Sequence, residues 1–240
     1  MNAPLENPGP VLVLNGSEPF GVGGRRACYV HPLDPAKCVK VLRTDERRTI
    51  RVKNSGSLIP TAWRREYNNN THEMHELYAL EKRIGAENMG KHIPRCYGMA
   101  ETDLGPGLVL DLVRDEDGRI SHSIRELITL GYDLEKLRPA FDEFCRFLTD
   151  HLVLTRSILD HNLAVSMSAQ GPQRIVMIDG LGYPGWLPIA AWIPSIGRAK
   201  VAQRKEDAWR RFETFAASGG VSEELRRNST WDQGHLRHRG

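Results

Sequence analysis

The hydrophobic period of this chain changes along its length, and this change constrains the fold more than any other feature of the sequence. Up to residue 113 the apolar residues form short runs, such as Ala27–Val30 and Cys38–Leu42, separated by turns that contain glycine and proline. Such runs are typical of strands. From Leu137 to Leu152 the apolar residues instead recur every three to four positions, which predicts a long amphipathic helix. The sequence therefore predicts an α+β fold with a sheet-rich first half and a mainly helical second half.

The same signals predict an order of elements. We expect three consecutive antiparallel strands, a helix, two more strands, the long helix, a β-hairpin and a final helix. Pro139 is expected in the first turn of the long helix or at a kink. The predicted segments are Val11–Leu14, Ala27–Val30, Cys38–Leu42, Trp63–Ile84, Cys96–Ala100, Gly107–Val113, Leu137–Leu152, Leu163–Met167, Arg174–Ile178 and Lys200–Ala216.

The charge balance and the cysteine pattern limit the possible partners and compartments. The 33 basic and 30 acidic residues give a net charge of +3, too small for a dedicated nucleic-acid binder, so nucleic acid is an unlikely partner. A basic region after Gly197 leaves phosphate contact open as an alternative to a solvated helix face. The sequence has no export signal, no apolar stretch long enough to span a membrane and no paired-cysteine motif, so we expect a cytoplasmic protein.

A glycine cluster lies between two predicted strands and contains Gly21, Gly23 and Gly24. In protein-kinase-like folds a strand-turn-strand loop of this kind lies over nucleotide phosphates, because glycine lets backbone N–H groups approach the phosphate oxygens. We assign the three glycines to nucleotide binding on this basis. A plain hairpin turn is the alternative interpretation.

Lys40 lies in the middle of an apolar strand, where an unpaired ammonium group would be costly to bury. In the kinase arrangement its partners are a glutamate on the following helix and the nucleotide phosphates. Glu76 is the best-placed glutamate, with Glu73 and Glu66 less favoured. The alternative is that Lys40 reaches solvent from an edge strand.

Asn162 stands at the head of the first strand of the predicted hairpin, and Asp179 stands at the end of the second strand. Their side-chain oxygens are hard ligands of the kind that hold Mg²⁺ on nucleotide phosphates. We therefore predict ATP and Mg²⁺ as cofactors, with Asn162 and Asp179 on the metal. Asp111, near the end of the predicted strand Gly107–Val113, is assigned to nucleotide binding.

The order of these features predicts a two-lobed protein-kinase-like fold with Mg²⁺ and ATP in the cleft between the lobes. We assign residues 1–113 to an N-lobe with an antiparallel sheet and one helix, and residues 114–219 to a reduced, mainly helical C-lobe. Residues 220–240 are expected to form a weakly ordered basic tail.

Several blocks of the sequence carry a family resemblance that extends from about residue 17 to about residue 215. They are Phe20–Pro32, Cys38–Leu42, Tyr97–Asp103, Asp179–Gly182 and Leu187–Trp192. These blocks resemble the PhoP regulatory network protein YrbL family. Members of that family look like small protein-kinase-fold proteins, so the resemblance implies this fold. The family name implies regulatory membership and states no activity.

The predicted catalytic loop departs from the kinase pattern. The proton-accepting Asp of a kinase stands five positions before the metal-binding Asn, and that position here is Ser157, which is not a carboxylate base. The family pattern also carries Ser at this place, but it has Lys-Pro where this chain has Leu159-Asp160. Ser157 and Asp160 are the candidate catalytic residues, with Asp160 as a substitute base. The alternative is that Asp160 caps a turn.

A second departure concerns the region after Asp179, where 61 residues follow and none spells Ala-Pro-Glu. We therefore expect no large peptide-docking platform, which argues against an ordinary protein kinase. The remaining hypotheses are phosphate transfer to an unidentified non-peptide or protein acceptor, and a pseudokinase that binds nucleotide and regulates a partner protein without turnover.

Overall fold

The computed structural model describes residues 10–23, 25–43, 69–155, 157–181 and 194–219. These residues form an α+β fold with antiparallel sheets and four α-helices. The chain divides into two units. The first contains the described residues up to Tyr78 together with Arg95–Leu112, and the second contains Ala79–Pro94 and the described residues from Val113 onward.

The first unit contains β1 (Gly21–Val22), β2 (Arg26–Val30), β3 (Lys37–Leu42), β4 (Cys96–Ala100) and β5 (Gly107–Asp111). All neighbouring strands are antiparallel, in the order β1-β2-β3-β5-β4. Lys40 in β3 lies opposite Cys28 of β2 and Leu108 of β5. The strand of Lys40 is therefore interior, and the alternative of an edge-strand lysine is wrong.

Val11–Leu14 does not form the predicted strand. Leu12 makes an isolated parallel bridge with Thr102, and the Asp103 carboxylate accepts hydrogen bonds from the backbone N–H groups of Leu14 and Asn15 at 2.7 and 3.0 Å. Because a side chain takes these donors, the segment does not extend a strand ladder. Burial nevertheless alternates along the segment, since Leu12 and Leu14 pack in the core with Val39, Val41 and Val109, whereas Val11 and Val13 are exposed.

The helix α1 (Asn69–Ile84) follows the third strand. It matches the later part of the predicted helix, whose expected start at Trp63 lies outside the described residues. The helix ends before Gly85, which has a φ of 89° and a ψ of 146°, a backbone conformation that residues with a Cβ rarely adopt. Its buried residues recur every three to four positions, as an inward face requires: Asn70, Glu73, Leu77, Leu80 and Ile84.

The second unit contains β6 (His122–Ser123), α2 (Ile124–Thr129), α3 (Arg138–Asp150), β7 (Leu163–Ser168), β8 (Gly171–Met177) and α4 (Pro194–Ala217). The strands form an antiparallel sheet in the order β6-β7-β8, so the predicted hairpin is confirmed. The two-residue strand β6 was not predicted because it is too short to show an alternating pattern. It leads directly into α2, whose first turn has a capping box between Ser123 and Glu126.

The core of the second unit forms between α3 and α4. Pro139 lies in the first turn of α3, as predicted, and Phe141 and Phe144 are fully buried. The Phe141 ring centroid lies 5.3 Å from that of Trp209 and 5.5 Å from that of Phe212 on α4. These contacts confirm the predicted apolar stripe, although α4 begins six residues before the expected start at Lys200.

Several basic side chains of α4 make contacts within the second unit. Lys205 lies 2.8 Å from the Asp142 carboxylate of α3, and Arg211 Nη2 donates to the Ile158 carbonyl at 2.8 Å. Arg204 donates to the Thr155 carbonyl. Arg211 is nevertheless exposed and Arg204 and Lys205 are half-buried, so the expected solvated face is right for Arg211 and only partly right for the other two. The predicted tail 220–240 lies outside the described residues.

No helix among the described residues is long and apolar enough to cross a membrane.

Candidate functional site

The first candidate group is a buried ion pair in the first unit. Lys40 Nζ donates to Glu73 Oε1 at 2.7 Å, and the two residues are only 6 and 8% exposed. The pair forms because Lys40, on an interior strand, faces the buried side of α1, which carries Glu73. The strand lysine thus has a helix carboxylate as a partner, as predicted, but the residue is Glu73 rather than Glu76. Glu73 lies one turn earlier on the buried face, whereas Glu76 is half-buried.

Two further polar residues join this pair. Arg26 Nη1 donates to Glu73 Oε2, so each oxygen of the carboxylate has its own cationic partner. Asn70 Nδ2 donates to the Lys40 carbonyl at 2.7 Å, and its Oδ1 lies 3.5 Å from Arg26 Nη1. We call Arg26, Lys40, Asn70 and Glu73 the polar quartet. All four residues are buried.

Arg26 and Asn70 were not among the candidate residues that the sequence suggested. A strand pattern could have identified Arg26, since residues 26 and 28 of one strand face the same side as residues 40 and 42 of the next when the hairpin register is known. Single-sequence patterns do not supply that register. Asn70 carried no signal, because a polar residue near the start of a helix is common.

The glycine cluster forms the start of the β1–β2 hairpin. Gly21 belongs to β1 and pairs with Cys28, while the Gly23 N–H donates to the Arg26 carbonyl at 2.8 Å. Gly24 lies outside the described residues. A Cβ at Gly23 would meet only the Arg26 carbonyl, at an ordinary contact distance of 3.6 Å. The part of the chain that the structure describes therefore gives no steric reason for glycine at residue 23.

Asp111 lies at the end of β5, where its carboxylate is bound within the first unit. One oxygen accepts from the Tyr97 hydroxyl at 2.8 Å, and the other accepts from the Arg95 backbone N–H at 2.8 Å. Burial and the bond to Asp111 raise the pKa of Tyr97 to about 12. These contacts hold the ends of β4 and β5 together, and the nucleotide role of Asp111 stays a prediction.

The second candidate group lies at the open end of the β7–β8 hairpin in the second unit. The Ile178 N–H donates to the Asn162 carbonyl at 2.8 Å, which brings Asn162 beside the turn that contains Asp179. Asp179 is exposed, and its Oδ1 accepts from the Gly180 N–H at 2.6 Å. Gly180 has a φ of 90°, and a Cβ there would lie 3.0 Å from Asn162 Nδ2 and 3.7 Å from the Ser157 carbonyl. The structure thus places Ser157, Asn162 and Asp179 around Gly180.

Asp160 precedes this group and is held by Arg125. Arg125 Nε and Nη2 each donate to one carboxylate oxygen at 2.8 Å, and the His161 N–H donates to Oδ1 at 3.0 Å. Burial raises the pKa of Asp160, but the hydrogen bonds from His161 and Arg125 outweigh burial and hold that pKa at about 2. A carboxylate with so low a pKa is a weak general base. The sequence contained no specific signal for Arg125 as its partner.

Thr155 and Ile158, which lie on either side of a short gap in the described residues, are both bound by side chains of α4 within the second unit. Arg204 and Arg211, two helical turns apart on α4, donate to the carbonyls of Thr155 and Ile158. Arginine donors on backbone carbonyls limit the conformations available to an irregular segment. Thr155 and Ile158 are therefore held by charged side chains, in addition to the isolated antiparallel bridge between Thr155 and Leu181.

The two groups offer different chemistry. The polar quartet has cationic donors that suit anionic oxygen atoms. Asn162 and Asp179 offer oxygen ligands of the type that Mg²⁺ prefers, and Mg²⁺ commonly takes one or two protein carboxylates together with phosphate oxygens and water. No cluster of three or more His, Cys, Asp or Glu side chains suited to a metal occurs in the described part of the chain. The residues present thus fit a metal shared with a phosphate ligand better than an all-protein metal cage.

Comparison with known proteins identifies relatives over most of the chain. The family model described as PhoP regulatory network protein YrbL matches residues 12–215. The protein named "Uncharacterized protein YrbL" from Escherichia coli (strain K12) is 27% identical over 205 residues, which cover 84% of this chain and 86% of the relative. The protein of the same name from Shigella flexneri has the same identity and coverage. Because the family model spans most of the sequence, the chain belongs to the PhoP regulatory network protein YrbL family.

Proposed function

We propose that this protein has a kinase-like fold and binds ATP together with Mg²⁺. The observation that carries the proposal is the buried ion pair between Lys40, on an interior strand, and Glu73 on the following helix. Buried ion pairs are often no more stabilising than apolar residues of similar volume, so stability alone is a poor reason for this pair. A lysine held by a helix glutamate is also the device with which protein kinases contact the nucleotide phosphates.

The second unit supports the metal part of this proposal. Asn162 and Asp179 lie beside Gly180 at one end of a hairpin, and their oxygens would hold Mg²⁺ together with phosphate oxygens. Mg²⁺ supplies charge neutralisation on the phosphates when it is bound. The protein side chains would fix the position of the metal and exclude other arrangements of the phosphate chain.

The glycine hairpin supports the nucleotide part. Neither a left-handed backbone nor a crowded neighbour among the described residues requires glycine at residue 23, and the close approach of a ligand would account for it. Backbone N–H groups near Gly21 and Gly23 would approach phosphate oxygens without interference from a Cβ. Asp111 is proposed to act near the nucleotide through the strand end that it stabilises.

Transfer of the γ-phosphoryl group is the activity that we propose for the bound nucleotide. An acceptor oxygen, on an unidentified non-peptide or protein acceptor, would bond to the γ-phosphorus while the bond to the β-phosphate oxygen breaks and ADP leaves. The acceptor proton would pass to a base, for which Asp160 is the available carboxylate. Loss of a strong base lowers the rate about 10²- to 10⁴-fold without abolishing transfer, because positioning and charge stabilisation dominate this reaction.

A specific observation favours a second function, that of a regulator that binds nucleotide without turnover. Asp160 is committed to Arg125 and has a pKa of about 2, and residue 157 is a serine. Neither residue is a good proton acceptor near neutral pH. The description of the family refers to a regulatory network, which agrees with a signalling role.

Calorimetric titration with ATP, in the presence and absence of Mg²⁺, tests the shared part of both functions. We expect Mg²⁺-dependent binding by the wild type, loss of the Mg²⁺ dependence in Asp179→Ala, and unchanged binding in Asp117→Ala, a control that removes another exposed carboxylate of the second unit. Absence of nucleotide binding by the folded wild type would contradict the proposal.

Release of ADP separates the two functions. A phosphotransferase is expected to hydrolyse ATP slowly when water replaces its acceptor, and Asp179→Ala should abolish that activity. A regulator without turnover should bind Mg-ATP and release no ADP above the level of the Asp179→Ala variant.

A further inference from the structure

Glu73 divides its carboxylate between two cations in the first unit. Oε1 accepts from Lys40 Nζ at 2.7 Å, and Oε2 accepts from Arg26 Nη1. Arg26 is 9% exposed and Glu73 is 8% exposed. The arrangement therefore differs from a simple lysine–glutamate pair, because a second buried cation is bound to the same carboxylate.

The strand register explains how Arg26 reaches this position. Arg26 lies opposite Leu42 and Cys28 lies opposite Lys40, so Arg26 and Lys40 are diagonal neighbours on one face of the sheet. Asn70, on α1 one turn before Glu73, donates to the Lys40 carbonyl at 2.7 Å. The helix is thus attached to the sheet both by a backbone contact and by the shared carboxylate.

The shared carboxylate has a consequence for ligand binding. When a lysine turns a donor towards a phosphate, it weakens its contact with the glutamate, and a buried carboxylate that loses its cation is strongly disfavoured. Arg26 would keep Glu73 paired throughout this change. The rigid planar guanidinium also restricts the carboxylate more than a second lysine would.

We propose that Arg26 is a positioning residue for the phosphate contact of Lys40. It holds the second oxygen of Glu73, so that Glu73 stays directed at Lys40 while Lys40 binds phosphate. The role rests on the nucleotide binding proposed above, and Arg26 itself does not contact the nucleotide.

The test compares the affinities of ATP and ADP, each with Mg²⁺, for the wild type and for Arg26→Met, Arg26→Lys and Arg146→Met. Partners that orient a ligand-binding residue commonly contribute 10- to 100-fold in affinity. We therefore expect Arg26→Met to weaken both nucleotides by about tenfold and to leave the ratio of their affinities unchanged. Arg26→Lys should recover part of the loss. Arg146→Met removes an exposed arginine of α3 and should have no effect.

Three results would overturn this role. The first is unchanged nucleotide affinity in folded Arg26→Met, which would make Arg26 purely structural. The second is a loss confined to ATP, which would make Arg26 a direct ligand of the γ-phosphate. The third is absence of binding by the wild type, which overturns the proposed function and this role with it, and so differs from the first two results.

A separate measurement checks that each variant folds. If Arg26→Met fails to fold, as judged by circular dichroism and thermal unfolding, Arg26→Lys carries the test, because it keeps the charge and loses the planar group. A folded Arg26→Lys variant with wild-type affinity for both nucleotides would then contradict the proposal, and a several-fold loss for both would support it.

Discussion

Arg125 donates to both carboxylate oxygens of Asp160, from Nε and Nη2, at 2.8 Å each. The two residues are 35 positions apart, so the contact joins α2 to the segment that precedes the β7–β8 hairpin. Bidentate arginine–carboxylate pairs are among the stronger and more directional polar contacts in proteins. Asp160 therefore has a clear structural role in the second unit, whatever its part in catalysis.

The first prediction concerns the pH dependence that this pair produces. The pKa of Asp160 is lowered from 3.8 to about 2 in the folded protein, so the ionised carboxylate stabilises the fold above about pH 4. The contribution, on the order of 2 kcal/mol, should be lost as the pH falls from about 4 towards 2. Urea unfolding should show that the unfolding free energy of Asp160→Asn is lower than that of the wild type by about this amount at pH 6. The difference should be smaller at pH 3.

Asp150→Asn serves as the control for this measurement, because Asp150 is exposed at the end of α3. Its unfolding free energy should stay within about 0.5 kcal/mol of the wild type at both pH values. If the difference in unfolding free energy between wild type and Asp160→Asn does not change between pH 6 and pH 3, the ion pair contributes little.

The second prediction ranks the substitutions in the polar quartet by stability. Glu73→Gln leaves Arg26 and Lys40 buried without the carboxylate between them, and should lower the unfolding free energy by about 3 kcal/mol or more. Lys40→Met leaves the Arg26–Glu73 pair in place, and we expect a loss of about 1 kcal/mol. Chemical denaturation of the two variants gives their unfolding free energies and so shows which substitution is more destabilising.

Glu76→Gln is the matched control on the same helix, and it should cost less than Glu73→Gln because Glu76 is half-buried. The comparison also tests whether Glu73, rather than Glu76, is the partner of Lys40. A larger loss for Glu76→Gln than for Glu73→Gln would show that the sequence-based choice of partner was the better one.

The third prediction separates the stability role of a glycine from its ligand role. A Cβ at Gly23 meets only the Arg26 carbonyl at 3.6 Å, so Gly23→Ala should leave the unfolding free energy unchanged within about 1 kcal/mol. A Cβ at Gly107 would collide with Val39, so Gly107→Ala should be clearly destabilising, by about 1 to 3 kcal/mol.

Nucleotide titration of the same variants completes this prediction. If phosphates approach the β1–β2 hairpin closely, Gly23→Ala should weaken ATP binding at unchanged stability. Wild-type ATP affinity in Gly23→Ala would mean that the cluster is an ordinary hairpin turn at this residue.

The fourth prediction uses two glycines with the same backbone conformation. Gly180 and Gly118 have φ values of 90° and 87°, but a Cβ at Gly180 would lie 3.0 Å from Asn162 Nδ2, whereas a Cβ at Gly118 meets nothing within 4 Å. Alanine should cost about 1 kcal/mol at each position through backbone strain. Gly180→Ala should in addition displace the Asn162 side chain.

The displacement of the Asn162 side chain is detected through its effect on one quantity, the Mg²⁺ dependence of ATP binding. We expect it to weaken in Gly180→Ala and to stay unchanged in Gly118→Ala, since only the first substitution disturbs Asn162. Equal Mg²⁺ dependence in the two variants at similar stability would argue against Asn162 as a metal ligand.

Local sequence patterns determined the elements that depend on local physics. Short apolar runs bounded by turn residues predicted β3 and β5. The helical stripe from Leu137 to Leu152 predicted α3, because burial of one helix face recurs every three to four residues. The hairpin of β7 and β8 followed from its turn residues. Val11–Leu14 shows the limit of such patterns, since the segment forms only an isolated bridge at Leu12, while the backbone N–H groups of Leu14 and Asn15 donate to the side chain of Asp103.

Only the tertiary structure decided which charged groups are partners. Sequence identified Lys40 as a lysine in need of an anion, but the choice of Glu73 over Glu76 depends on how α1 is rotated against the sheet. Arg26 and Arg125 reach their carboxylates across 47 and 35 residues of sequence. The sequence by itself therefore determined the longer strands and helices and the isolated charges, because these follow from short-range periodicity and the cost of burying charge. It did not predict the short elements β1, β6 and α2, and it placed a strand at Val11–Leu14 where the structure has only an isolated bridge. The pairing of those charges was decided by strand register and helix rotation, which depend on packing between segments that are distant in the chain.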